Sequence, residues 1–69
     1  MLFLVSFWWD DSHITACSNI VNVGNLSTYA EAKRIIDTYY RAYTIIGIRA
    51  ITDDEAQSQV NRGMPFITL

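Results

Sequence analysis

At 69 residues the chain can enclose one hydrophobic core and no second, so residues 1–69 are read as a single domain. With 51% hydrophobic, 13% aromatic and 17% charged residues, it lies far from the composition that keeps chains disordered. A net charge of −2 excludes strong steering toward nucleic acid or an anionic membrane, and a single cysteine, Cys17, excludes an intrachain disulfide or a thiolate zinc cluster.

Leu2 to Trp9 is a continuous apolar, aromatic run of strand length, as expected of a strand covered on both faces or central in its sheet. Side chains alternate along it, so Leu2, Leu4, Ser6 and Trp8 share one face while Phe3, Val5, Phe7 and Trp9 share the other. The run lacks the basic flank and small-residue cleavage site of a signal peptide. It is also less than half of the roughly 20 residues that span a bilayer. A soluble, cytoplasmic protein is therefore expected, the unpaired thiol suiting a reducing compartment.

Asp10-Asp11-Ser12 is turn chemistry, because short polar side chains bond the neighbouring backbone. It predicts a hairpin whose return strand runs from about His13 to Val23, with a bulge at Ser18-Asn19 where the alternation slips. Asn22 to Asn25 closes that strand, and Ser27-Thr28 with Glu31 marks a helix start with capping-box spacing. From Tyr29 the period changes: Tyr29, Ala32, Ile36, Tyr39, Tyr40 and Tyr43 form an apolar stripe on an amphipathic helix of about four turns. Asp37 and Arg41, four residues apart, are expected to pair on its solvated face.

Thr44 to Ile51, rich in isoleucine, predicts a strand, and Gly47 within it suggests a bulge or a tryptophan packed over it. Thr52-Asp53-Asp54-Glu55 is a capping box with an acidic first turn; it opens a short helix stopped by Gly63 and Pro65. Phe66 to Leu69 has the makings of a short edge strand. The expected class is α+β: a small antiparallel sheet in the order β-β-α-β-α, with a short C-terminal strand and the helices packed on one face.

No spacing of residues marks a catalytic, cofactor or metal site, and the three scattered glycines form no phosphate loop. Asp10, Asp11 and His13 include metal-capable groups, but hairpin turns favour the same residues for backbone reasons. His13 and Cys17 would sit roughly 13 Å apart along a strand, too far for a nucleophile pair. Cys17 is read as a small hydrophobe.

Phe7, Trp8 and Trp9 carry the functional expectation, since a domain this small cannot cover large aromatics on both faces of one strand. Protein interfaces use Trp, Tyr and Arg anchors and need no net positive charge. The expected activity is non-enzymatic: a protein-binding module, an inhibitor or regulator of a partner, as small phage and mobile-element proteins often are, on grounds of size alone. Its contact residues would be Trp8, Trp9, Asp10, Asp11, Tyr40, Arg41 and Tyr43. A homodimer fits the same surface. The alternative, single-stranded nucleic acid stacked on sheet aromatics, is disfavoured by the acidic neighbours Asp10 and Asp11.

Overall fold

The computed structural model describes residues 1–24 and 28–69, so the loop and cap expectations at Asn25 and Ser27 lie outside the described residues. Leu2–Trp8 form β1, Ala16–Asn22 β2, Tyr29–Tyr39 α1, Thr44–Ile51 β3, Asp53–Asn61 α2 and Phe66–Thr68 β4. Among the described residues the strands make one sheet in the order β3-β1-β2-β4. The apolar run on both faces of β1 thus belongs to a central strand, as such runs usually do. The open edges are β3 and the three-residue β4.

β1 pairs antiparallel with β2 and β3, whereas β4 pairs parallel with β2. The sheet is therefore mixed, not purely antiparallel. The reason is the helical connection: α2 carries the chain back past the sheet, so β4 starts in the same direction as β3 and β2.

Phe3, Val5 and Phe7 point to one face of β1, where they meet Val21, Val23 and the α1 residues Ala32, Ile36 and Tyr40 in a common buried core. Each such large side chain contributes about 1.5–3 kcal/mol by leaving water. Arg49, which alternates with the core-facing Ile48, turns to the other face, and its guanidinium donates to Glu55 of α2 at 3.0 Å. Ile20, opposite Leu4, and Ala56 of α2 are buried outside the α1 core. The domain is the expected small α+β sheet with two packed helices, and each helix lies against one face: α1 over Phe3, Val5 and Phe7, α2 beside Leu4 and Arg49. Two crossovers stepping in opposite directions across a sheet have this outcome when both are right-handed.

The β1–β2 register runs unbroken from Leu2↔Asn22 to Trp8↔Ala16, so the bulge expected at Ser18-Asn19 is absent. Those polar residues break the apolar alternation because they are paired, not because the strand slips. Ser18 shares a hydrogen bond with Ser6 at 3.0 Å, and the Asn19 amide donates to the Tyr40 hydroxyl at 2.8 Å. The register shift lies instead between β1 and β3 at Ser6/Phe7, next to Gly47, and no tryptophan covers that glycine.

Both helix starts follow the sequence. Thr28 Oγ1 accepts from the Glu31 backbone N–H at 3.2 Å, and Thr52 Oγ1 from that of Glu55 at 3.1 Å. α1 has 11 residues, three turns and not four, because the chain leaves the helix at Tyr40. Arg41 consequently lies past the helix, and Asp37 pairs backward with Lys33 at 2.9 Å. Gly63, at φ 95°, ends the α2 segment in the left-handed region open to glycine.

Candidate functional site: an aromatic end of the sheet

The C-terminal end of β1, the start of β2, the end of α1 and the start of β3 converge at one end of the sheet, and this brings most of the expected contact residues together. Phe7 is the anchor, buried and in ring contact with Tyr40 at 4.9 Å and Tyr43 at 5.2 Å. Tyr40 is 2% exposed and supports this end from beneath, out of a partner's reach. Its burial raises the phenol's pKa above the ordinary value, the Asn19 bond opposing the shift in part.

From that base the aromatics climb to the surface. Tyr43, 37% exposed, stacks with Trp9 at 5.6 Å and 25°, and Trp9 itself is 59% exposed. Tyr39, 53% exposed, sets its ring edge against Tyr40 at 4.9 Å. Exposed aromatic area is thereby held by a continuous set of ring contacts reaching into the core. Arg41 is exposed between Tyr40 and Tyr43 in the chain.

Trp8 is placed apart from this group. As the next residue of the strand it points to the opposite face, half-buried, with its indole stacked on His13 at 5.2 Å and 6°. The two tryptophans lie on opposite sides of the sheet, as their alternation along the strand predicts.

The hairpin loop between β1 and β2 is longer than expected, because the return strand begins at Ala16 and not at His13. Trp9 N–H donates to the Thr15 carbonyl at 2.8 Å, closing the loop neck. Inside, Asp10 Oδ1 accepts from the backbone N–H groups of Ile14 at 3.0 Å and Thr15 at 3.4 Å, and the Asp10 carbonyl accepts from His13 N–H at 3.3 Å. The Ile14 bond holds the Asp10 carboxyl below its ordinary range. His13 takes φ 58°, a left-handed conformation that the turn requires and that a non-glycine residue adopts at some cost. Asp11 is exposed at the turn.

This geometry lifts Ile14 out of the sheet: it is 79% exposed. Ile14 and Tyr39 are the surface residues that sequence reasoning passed over. The usable signal for Ile14 was the four-residue step from Asp10, the spacing at which the carboxylate caps its backbone N–H. Tyr39 was masked by its place in the helical stripe, whose buried members are Ala32 and Ile36.

Among the described residues no three His, Cys, Asp or Glu side chains gather into a metal-holding group, and no pocket opens between the elements. Cys17, half-buried, packs against the core beside Phe7, its partner in the register. Among the described residues no helix is long and apolar enough to cross a membrane. Fold and surface together define a small α+β domain presenting aromatic side chains at one end of its sheet. Comparison with family models, curated proteins and solved structures finds no match to this chain.

Proposed function

We propose that this domain is a small, non-enzymatic protein-binding module that inhibits or regulates a partner protein by covering part of its surface. The observation that carries the reading is Trp9, an exposed indole held in place by stacking on Tyr43. A rigid aromatic is the residue type that dominates binding energy at protein interfaces, because little side-chain freedom is lost when it docks. Tyr39 and Tyr43 extend the same surface, and Arg41 and Asp11 are exposed charged residues of the adjoining turn and loop. The cytoplasmic setting rests on Cys17 alone, an unpaired thiol that a reducing compartment preserves.

The experiment is affinity capture from the native host lysate with the wild-type domain and with Trp9→Ala, both shown to be folded by circular dichroism. Removing a central anchor costs about 2 kcal/mol or more, roughly a thirtyfold loss of affinity. Stoichiometric recovery of one protein by the wild type, lost with Trp9→Ala and resistant to nuclease, supports the module. Capture that disappears on nuclease treatment replaces it with a nucleic-acid partner.

A further inference from the structure

We infer that Ile14, on the returning limb of the β1–β2 loop, inserts into an apolar pocket with a basic rim on the partner protein. This deepens the protein-binding reading and rests on it. A lone exposed isoleucine is ordinary. What distinguishes Ile14 is the loop that carries it. Trp9 and Thr15 close the neck, the Asp10 carboxylate fastens the Ile14 and Thr15 backbone, and the Asp10 carbonyl holds His13. His13 in turn lies flat against Trp8. The backbone on both sides of Ile14 is therefore held, while its side chain is 79% exposed, more than any other large apolar side chain described.

A loop ordered before binding loses little conformational entropy when it docks, the condition under which a single projecting side chain serves as an anchor. A projecting branched side chain is complementary to a concavity, so the partner's surface is a pocket and not a second flat face. The charge of the rim follows from the loop's composition. Residues 10–16 carry two carboxylates, Asp10 and Asp11, and no lysine or arginine. Basic groups around the pocket would meet this acidic loop, giving association that weakens with salt. Trp9 follows β1 directly and lies 59% exposed at the neck of the same loop.

The test uses the full chain in four forms: wild type, Ile14→Asp, Ile14→Val and Trp9→Ala, each checked for an unchanged melting transition. Each is immobilised and exposed to native host lysate. The protein recovered by the wild type is identified by mass spectrometry, purified and titrated against all four at low and high salt. The expected result is at least about a thirtyfold loss for Ile14→Asp, less than tenfold for Ile14→Val, and weaker binding at high salt. Wild-type affinity in Ile14→Asp, with binding lost in Trp9→Ala, overturns the insertion and leaves the protein-binding reading standing. Undiminished binding by both Ile14→Asp and Trp9→Ala, or no protein recovered by the wild type, overturns both. Affinity independent of salt overturns the basic rim.

Discussion

The indole of Trp9 rests on the ring of Tyr43 at 5.6 Å, joining the hairpin loop to the turn between α1 and β3. Neither residue is fixed by burial, so each limits the motion of the other. Tyr43 also touches Phe7 and therefore transmits the order of the core to the exposed indole.

Tyr43→Ala is expected to leave a folded domain with a looser Trp9. Losing the ring pair costs about 0.5–1.5 kcal/mol beyond the lost area, and the tyrosine is already 37% exposed. Chemical denaturation should report a modest loss of stability. Time-resolved fluorescence in a Trp8→Phe background should report faster local motion of Trp9.

Ile36→Ala removes a fully buried side chain from the centre of α1, where it packs with Phe3, Val5 and Val21. Such truncations cost about 2–5 kcal/mol. A domain of this size has roughly 3–5 kcal/mol in all. The variant should be largely unfolded at room temperature by circular dichroism, whereas Ile35→Ala on the exposed side of the same helix should melt close to the wild type.

Tyr40→Phe keeps the ring contacts with Phe7 and deletes the hydroxyl that accepts from Asn19 at 2.8 Å. The predicted loss is about 0.5–1.5 kcal/mol, and the double variant with Asn19→Val should recover part of it, because no part-buried amide is then left unpaired. A double-mutant cycle of urea melts measures this coupling.

The pH dependence follows from Asp10. The Ile14 hydrogen bond lowers its pKa in the folded chain from the ordinary 3.8, so the unfolded chain takes up the proton first. Its stabilisation of the loop is complete above about pH 3.8 and is lost as pH falls through the lower folded value. Amide chemical shifts of Ile14 and Thr15 should move together in that acid window in the wild type and stay flat in Asp10→Asn.

Element types and most boundaries were legible because each carried a local chemical signal: a continuous apolar run for β1, an isoleucine-rich run for β3, Thr28 and Thr52 as caps, Gly63 as a stop. Three things depended on tertiary pairing. The Asn19–Tyr40 bond made a regular strand resemble a bulged one. The parallel β4 and the face taken by α2 followed from crossover direction, which no residue encodes locally. Of the expected contact surface, Trp9 and Tyr43 came together through contacts with a common core, while Tyr40 went beneath it and Trp8 behind it. Ile14 stayed hidden because an isoleucine beside His13 and Thr15 looks like strand until the Asp10 cap is seen.

The most direct measurement is quantitative affinity capture with wild type and Trp9→Ala side by side, under nuclease treatment and with both proteins verified as folded. One protein recovered at stoichiometric yield by the wild type and lost with the variant is the predicted result. Equal recovery by both would contradict an interface built on the Trp9–Tyr43 surface, and recovery abolished by nuclease would contradict a protein partner.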